Sequence, residues 1–301
     1  MVENSINGTF LHHREFIEYH EDKFEDVSLV FFEGGHPIAV FPAEVNNGQV
    51  SSHRGLTYGG WIVIGGLSQE TLRKMVLGTI RWYQSRGFQT MAIKSVPEFL
   101  CRGSQKDLIE AIQSTDPEIS EKAVFHTTAL PYQITDRGRK WGQKKAIAFG
   151  LELKVSDDFE GFWEKVLEPL LEDKFQNTPV HSLKEILLLK SRFPENIMIY
   201  TAYKDGEILA GTVLFIDRGF LHAQYIASTK NGRKYRALDL LFAGIIEEFK
   251  SNKKHLSLGS SCDSRTGIPI PGLVRWKESL GAIPVEVPRF YWRFNPNSSI
   301  D

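Results

Sequence analysis

The sequence has few cysteines, and its histidines are scattered. Cys101 and Cys262 are the only cysteines; two are too few for a disulfide framework, and neither belongs to a C-x-x-C pair. We expect two reduced thiols. The nine histidines include the adjacent His12 and His13, which lack the i, i+4 spacing that places two ligands on one helix face. No metal site is expected.

The sequence also lacks a strong net charge and a long apolar run, and no secretory signal is expected. A net charge of −1 argues against a general DNA-binding protein. No apolar run approaches the roughly 20 residues of a membrane-spanning helix, and the first ten residues lack the features of a secretory signal. We therefore expect a cytoplasmic protein. From Pro131 onward, 25 Lys and Arg outnumber 21 Asp and Glu, which favours this part for a phosphate-bearing ligand.

Two stretches of the chain, 27–55 and 197–227, share a pattern of apolar runs separated by glycine turns. Gly35 and Gly206 lie 171 positions apart, and the same offset aligns two further pairs of small residues, which are Ala39 with Ala210 and Gly48 with Gly219. Tight turns of this kind join antiparallel strands. Each stretch therefore predicts a three-stranded meander.

Helical sequence precedes and follows each meander. The predicted helices cover 9–20, 68–86, 156–175, 182–194, 236–249 and 273–280. Further strands are predicted at 90–94, 255–258, 283–287 and 290–294. Each half therefore predicts an α/β (α+β) domain with a mixed, mainly antiparallel sheet flanked by helices. The domains are expected at 1–140 and 141–301, joined within the polar stretch 135–146.

Four local segments occur in order on this repeated scaffold, namely SHRGLTYGG (52–60), TPVHSLKE (178–185), HAQYIA (222–227) and GLVRWKESLGA (272–282). With them, the chain resembles N-acetyltransferase-like (GNAT) proteins, and among these the Fem-type aminoacyltransferases. The resemblance implies two tandem GNAT domains and acyl transfer to an amine of a cell-envelope or polysaccharide precursor. It also implies that donor and acceptor meet where strands 220–227 and 255–259 separate.

Three residues are candidates for catalysis. The resemblance implies that Lys277 neutralises charge on a phosphate or on the reacting carbonyl; the alternative is an exposed helix lysine beside Glu278. His222 suits a general base, or is a partly buried, hydrogen-bonded histidine. Tyr225 either belongs to the core or donates to the substrate carbonyl. Because His222 and Gln224 alternate with Tyr225, we expect them on the opposite face of the strand.

A basic turn before the helix at 236 is a candidate cofactor-binding site. Orphan N–H groups and the helix dipole at such a turn attract anions. The GNAT pattern there is Gln/Arg-x-x-Gly-x-Gly/Ala, but Arg236 follows Arg233 where the first glycine belongs. The alternative is a solvated basic turn. The candidate residues are Lys230, Gly232, Arg233 and Lys234.

Other residues are candidates for substrate binding. By resemblance, His53 and Tyr58 face a substrate cleft, although a glycine-rich turn with aromatic residues is often structural. His181 binds substrate or fixes the turn before a helix. A nucleophile elbow fails at 259–263 because Asp263 takes the place of the last glycine. The remaining candidates are Gln224, and Ser260 and Ser261 as hydrogen-bond donors.

The expected activity leaves the acyl donor open. A CoA thioester as co-substrate, with no tightly bound cofactor, is the favoured donor. An aminoacyl-tRNA is the alternative that the Fem resemblance favours, but no heptad stretch predicts the coiled-coil arm of tRNA-dependent Fem enzymes. A third possibility is a non-catalytic binding or assembly protein on a GNAT scaffold.

Overall fold

The computed structural model describes residues 1–20, 23–263 and 266–294. They form two compact units: the first comprises Met1–Ala123 with the described part of Glu286–Asp301, and the second comprises Val124–Val285. These units divide the chain differently from the consecutive halves 1–140 and 141–301. The difference arises because the last strand of the chain belongs mostly to the first unit.

The strands of the described residues are β1 (Glu25–Asp26), β2 (Leu29–Glu33), β3 (His36–Phe41), β4 (Glu44–Asn46), β5 (Gln49–Ser51), β6 (Ile62–Val63), β7 (Thr90–Lys94), β8 (Glu118–Ala129), β9 (Glu152–Ser156), β10 (Ile197–Lys204), β11 (Glu207–Ile216), β12 (Phe220–Ser228), β13 (His255–Ser260) and β14 (Ile283–Arg293).

The α-helices are α1 (Arg14–Ile17), α2 (Gln69–Ser85), α3 (Lys106–Gln113), α4 (Arg137–Ala148), α5 (Phe159–Phe162), α6 (Glu168–Phe175), α7 (Leu183–Arg192), α8 (Lys230–Lys234), α9 (Ala237–Phe249) and α10 (Pro271–Glu278). One π-helical turn, Trp163–Leu167, lies between α5 and α6. Short 3₁₀ helices cover Val2–Asn4, Phe10–His12, Glu18–His20 and Glu98–Leu100.

The first unit contains two sheets. One has the order β1-β4-β5-β7-β14, and the other has the order β2-β3-β6. β5 and β7 are parallel, whereas β14 is antiparallel to β7. Helix α2 covers the core of this unit, which contains Phe41, Trp61 and Tyr83.

The second unit has one sheet with the order β8-β13-β12-β11-β10-β9. β12 and β13 are parallel, and the other neighbours are antiparallel. Helix α9 buries Leu241, Phe242 and Ile245 in its core, and each such side chain contributes about 1.5–3 kcal/mol by leaving water. The mixed, mainly antiparallel sheet flanked by helices confirms the predicted fold class.

The turns of the meanders are confirmed where the chain needs a left-handed backbone. Asn47 and Gly48 have φ of 49° and 75°, and Asp205 and Gly206 have φ of 50° and 82°. Asn, Asp and Gly tolerate this region, and two consecutive residues in it match the twist of the adjoining strands. These residues therefore fix the hairpin β4–β5 and the hairpin β10–β11.

The prediction of one continuous meander at 27–55 is wrong. β2 and β3 pair with each other in the small sheet, whereas β4 and β5 belong to the larger one. Pro42 lies at the break, and proline has no N–H to donate to a strand ladder. The predicted helix 9–20 is also interrupted, because His13 has an extended backbone between Phe10–His12 and α1.

The polar stretch expected to join the domains forms helix α4 instead. The side chain of Asp136 accepts a hydrogen bond from the N–H of Arg139 at 2.8 Å and caps its first turn. Strands β8 and β9 were not predicted, although the β-branched and aromatic residues of 124–128 are typical of a strand. The strands predicted at 283–287 and 290–294 are one strand, β14.

Candidate functional site

The opening between β12 and β13 is the central feature of the second unit. The two strands are held together by three residue pairs: Phe220 with His255, Leu221 with Leu256 and His222 with Ser257. Beyond them, among the described residues, β12 pairs with β11 and β13 pairs with β8. The two parallel strands therefore separate after His222 and Ser257, as the sequence predicts.

Lys277 extends from α10 to the end of β13. Its side chain is buried, with the residue 2% exposed, so it is not the exposed lysine of the alternative interpretation. Its Nζ donates to the carbonyl oxygens of Gly259 at 3.0 Å and Ser260 at 2.6 Å. Burial lowers the pKa of Lys277 to about 7, opposed by the nearby Cys262 thiol. The amino group of Lys277 is therefore held at the opening by two backbone carbonyl oxygens, and it exchanges its proton near pH 7.

His222 lies on β12 where the strands part, and it is buried. Its Nδ1 is 3.0 Å from Oγ of Ser257. Burial, reinforced by the charge of Lys277, lowers the pKa of His222 to about 4, although a hydrogen bond with Gln224 opposes the shift. The imidazole is therefore neutral near pH 7.

A bulge in β12 changes which side chains meet. The pairing of β11 with β12 shifts between Val213 and Leu214, opposite Gln224, and a bulge re-aims side chains that would otherwise alternate. The Gln224 side chain acts to raise the pKa of His222 and to lower that of Tyr225, so it lies close to both. His222 is opposite Phe215 and Tyr225 is opposite Val213, two positions apart on β11, so His222 and Tyr225 lie on the same face. The prediction that His222 lies on the face opposite Tyr225 is therefore wrong, and Gln224 is the bulged residue.

Tyr225 and His181 form a buried pair. The Tyr225 hydroxyl lies 2.6 Å from Nδ1 of His181 and accepts a hydrogen bond from its backbone N–H at 3.0 Å. Trp163 packs against the Tyr225 ring and donates its indole N–H to the carbonyl oxygen of His181. Burial raises the pKa of Tyr225. Gln224 thus connects this pair to His222 and the opening.

The two serine candidates take different places. The hydroxyl of Ser261 lies 3.0 Å from Nδ1 of the buried His126. Ser260 contributes its carbonyl oxygen to Lys277, and its hydroxyl accepts a hydrogen bond from the N–H of Cys262 at 3.2 Å. His126 and Ser257 are polar residues of the opening that the sequence analysis missed. The position of Ser257 opposite His222 follows from the register of β12 and β13.

The basic turn of residues 229–236 is partly occupied by its own contacts. The N–H of Gly232 donates to Oγ1 of Thr229 at 2.9 Å, and a Cβ on Gly232 would overlap the carbonyl oxygen of Leu209. Arg233 donates to the carbonyl oxygen of Ser228 at 2.9 Å. Arg236 has φ of 65°, the left-handed conformation that glycine prefers. The turn therefore keeps a glycine-like backbone where the family pattern has glycine. Lys230 and Lys234 begin and end α8.

His53 and Tyr58 lie in the first unit, where both are buried. His53 has φ of 65°, and its ring contacts Phe24. Tyr58 lies beside the ring of His12. Their environment is typical of residues that stabilise a folded loop, and a role in substrate binding stays a prediction.

Neither metal ligands nor membrane spans are found within 1–20, 23–263 and 266–294. No group of three or more His, Cys, Asp or Glu residues in these ranges is placed to hold a metal ion. Likewise, none of the helices formed by these residues combines the length and apolar character needed to cross a membrane.

Comparison with known families identifies part of the second unit. Residues 132–257 match the model of a family described as an acetyltransferase (GNAT) domain. This region extends from just before α4 into β13 and includes the parting strands. No curated protein sequence matches the chain.

Several solved structures share the fold. FemX aligns over 98% of this chain and 94% of its own with a TM-score of 0.73 and 11% identity. L-PGS from Bacillus licheniformis aligns over 96% and 93% with a TM-score of 0.61 and 12% identity. A tandem GNAT protein from the clavulanic acid biosynthesis pathway aligns over 92% and 87% with a TM-score of 0.52 and 10% identity. Residues 132–257 are thus similar to a GNAT acetyltransferase domain, and the chain as a whole has the fold of FemX and of the tandem GNAT protein.

Proposed function

We propose that the protein transfers an acyl group from a CoA thioester to an amine in the opening between β12 and β13. The observation that carries this proposal is the buried ammonium of Lys277 beside strands that separate. Burying a cation costs free energy unless it meets compensating groups. An ammonium has three N–H donors, and the carbonyl oxygens of Gly259 and Ser260 accept two bonds. We assign the third donor to the reacting oxygen.

The reaction requires the amine nitrogen to attack the thioester carbonyl carbon. The C–S bond then breaks, the thiolate of CoA leaves, and the proton lost by the amine neutralises it. Negative charge that develops on the carbonyl oxygen is stabilised by Lys277 and by backbone N–H groups at the parting strands. Burial holds His222 neutral, so its imidazole is suited to a hydrogen bond with the acceptor amine. With its pKa lowered to about 4, it is too weak a base to keep the proton that the amine loses.

The CoA donor is supported by the backbone of the basic turn. Arg236 keeps the left-handed conformation of the pattern's glycine, and its guanidinium is directed to Asp239 and the carbonyl oxygen of Gly138. We assign Lys230, Gly232, Arg233 and Lys234 to the phosphates of CoA. The solved structure of one relative, the tandem GNAT protein, is described as being without AcCoA. The acceptor that we assign is an amine of a cell-envelope or polysaccharide precursor in the cytoplasm.

An aminoacyl-tRNA is the second candidate donor. It is the donor that the Fem resemblance favours. The TM-score is 0.73 with FemX and 0.52 with the tandem GNAT protein. Both donors present an activated carbonyl to an amine, so Lys277 has the same role with either. The donor therefore needs a direct measurement.

Thermal unfolding of the purified protein tests the donor. Acetyl-CoA, longer acyl-CoAs and free CoA are added separately to the wild type, to Lys277→Met and to Lys94→Met, which alters a half-buried lysine of the first unit. A ligand at about 100 times its Kd stabilises the fold by about 2.7 kcal/mol. We expect at least one thioester to stabilise the wild type and to transfer its acyl group to an amine. Lys277→Met should lose this transfer activity, and Lys94→Met should retain it.

The opposite results are equally informative. Stabilisation by an aminoacyl-tRNA, but by no CoA compound, assigns the donor to tRNA. Transfer activity that survives in Lys277→Met contradicts the proposed role of this residue. Absence of any donor binding leaves the non-catalytic scaffold as the remaining interpretation.

A further inference from the structure

The outward face of α4 in the second unit is strongly basic. The helix contains five cations and no acidic residue, and one of these cations, Arg139, pairs with Asp239 on α9. The four other cations are Arg137, Lys140, Lys144 and Lys145. This face of α4 therefore attracts a negatively charged partner.

The same face exposes large apolar side chains. Trp141 and Ile147 are each 57% exposed, and Phe149 just after the helix is 39% exposed. Nζ of Lys145 lies 4.8 Å from the centre of the Trp141 ring. Cations and exposed apolar groups are thus interleaved within about three turns of helix. Single exposed apolar residues are ordinary, but three of them next to a cationic face form a surface that fits a partner.

Tight packing of the inner face prevents α4 from turning these side chains inward. Gly142 and Ala146 are buried, and a Cβ on Gly142 would overlap the carboxylate of Asp239. That carboxylate pairs with both Arg139 and Arg236. Rotation of the helix would break this buried ion cluster, and removing one partner of such a cluster is strongly destabilising. The exposure of Trp141 and Ile147 is therefore fixed by the fold.

The composition of the surface indicates which anionic partner it fits. A second copy of α4 brings the same positive charge and is repelled. An RNA partner gains from cations and from aromatic stacking, but it gains nothing from the aliphatic Ile147. The boundary between lipid headgroups and acyl chains accepts tryptophan, phenylalanine and isoleucine while anionic headgroups attract lysine and arginine.

We propose that the outward face of α4, formed by Trp141, Ile147 and Phe149 with Arg137, Lys140, Lys144 and Lys145, docks the protein on an anionic lipid surface. This contact is peripheral, because the apolar side chains are too few to enter the bilayer core. It does not depend on the acyl donor or on the transfer reaction.

Cosedimentation of the full chain with lipid vesicles tests this surface. The vesicles consist of phosphatidylcholine alone or of phosphatidylcholine with phosphatidylglycerol, at low and high salt. We expect binding to the anionic vesicles that weakens at high salt because ions screen the attraction. Trp141→Ser with Ile147→Ser, and separately Lys140→Gln with Lys144→Gln, should each weaken this binding at least tenfold.

Matched variants provide the controls. Phe32→Ser removes a side chain that is 64% exposed in the first unit, and Lys74→Gln with Lys106→Gln removes two exposed cations there. We expect all three control positions to leave vesicle binding unchanged. Thermal unfolding of every variant shows whether the fold is retained, and the positions on α4 point away from the core.

Three results would overturn the proposal. The first is a wild-type protein that does not bind anionic vesicles at low salt. The second is vesicle binding that the α4 variants retain. The third is an interaction with unfractionated tRNA, or a dimer in sedimentation velocity, that the α4 variants lose while vesicle binding is absent; this surface would then belong to RNA or to a second copy.

Discussion

The two copies of the repeated meander agree at the third strand and differ at the second. At the offset of 171 positions, Gln49–Ser51 of β5 corresponds to Phe220–His222 of β12. Each of these segments is parallel to the strand that comes after the next long helix, with Gln49 opposite Thr90 and Phe220 opposite His255. The repeat read from the sequence is therefore present in the hydrogen bonding of both units.

The second strands differ at one aligned position. Pro42 ends β3 in the first unit, whereas Val213 at the same offset continues β11, pairing with Ile199 and Tyr225. Because proline lacks the amide hydrogen, the ladder changes partners beyond it. The first unit therefore divides its meander between two sheets, and the second unit keeps one long strand.

The units also differ at the ends of their parallel strand pairs. In the first unit, the loop 52–58 runs along β7: the N–H of Ser52 donates to the carbonyl oxygen of Ala92, and Nζ of Lys94 donates to that of Leu56 at 2.7 Å. In the second unit, β12 and β13 diverge, and Lys277 approaches the end of β13. The chain fills the first opening with its own loop, so we locate the chemistry in the second unit.

The largest effect that tests this comparison is loss of transfer activity in Lys277→Met. Removing a preorganised donor to a developing oxyanion typically lowers kcat by about 10²–10³-fold. Lys94→Met removes a half-buried lysine of the first unit whose Nζ also donates to a backbone carbonyl oxygen, and it should leave kcat within about threefold of wild type. Steady-state kinetics with saturating donor measures both. Equal losses in the two variants would contradict the assignment of chemistry to the second unit.

The second effect concerns the packing of the two meanders. Gly211 of β11 corresponds to Val40 of β3 at the same offset. A Cβ on Gly211 would lie 2.6 Å from the buried ring of Phe162, so Gly211→Val should lower the free energy of unfolding by about 2–3 kcal/mol through overpacking. Urea unfolding measures this loss. Gly219→Ala is the control, because a Cβ there has no neighbour within 4 Å. If Gly211→Val is as stable as the wild type, helix α5 must move to make room for the added side chain.

The third effect is a pH dependence that separates the buried Lys277 from the half-buried Lys94. Burial lowers the pKa of Lys277 to about 7 and that of Lys94 to about 8, from an ordinary value of 10.5. Between the lowered and the ordinary value the unfolded chain binds more protons, so the free energy of unfolding rises with pH, by at most about 1.4 kcal/mol per pH unit for each lysine.

Urea unfolding between pH 6.5 and 9.5 measures this rise. Lys277→Met should lose the part of the rise that begins near pH 7, and Lys94→Met the part that begins near pH 8. A rise that is identical in wild type and both variants would mean that neither lysine titrates in this window.

The smallest effect is expected to be the same in both units. Ser68 caps α2 by accepting from the N–H of Thr71 at 3.1 Å, and Ser182 caps α7 by accepting from that of Glu185 at 3.3 Å. Ser68→Ala and Ser182→Ala should each lower the free energy of unfolding by about 1 kcal/mol. Chemical denaturation measures both. A much larger cost at Ser182 would indicate that the reciprocal bond, which the carboxylate of Glu185 accepts from the N–H of Ser182, couples the cap to the buried His181.

The sequence predicted those elements whose signals are local. Ser182 and Glu185 form the expected capping box, and Asp205 with Gly206 forms the expected turn. The sequence could not predict that Pro42 would direct β3 and β4 into different sheets, because the partner of a strand depends on distant residues. The stretch that forms α4 was predicted to be a linker. Its only local helix signal is the cap at Asp136, and the contacts with α9 that stabilise it involve residues remote in sequence.

The candidate site was predicted by type but not by arrangement. Lys277, His222 and Tyr225 were named chiefly from the family resemblance. Strict alternation put His222 and Tyr225 on opposite faces, but the one-residue bulge at Gln224 resets the period of the strand and puts them on the same face. His126 was not predicted as a site residue because its strand, β8, was not predicted.

By itself, the sequence determined the repeated order of elements and the turns and caps. These features depend on backbone preferences and side-chain periodicity within a few residues. The expectation that Lys277 and His222 lie near the parting strands came from the family resemblance. The tertiary structure alone decided that Lys277 is buried on the carbonyl oxygens of Gly259 and Ser260, and that the first unit fills its opening with a loop. Both outcomes depend on desolvation and packing between segments that are distant in sequence.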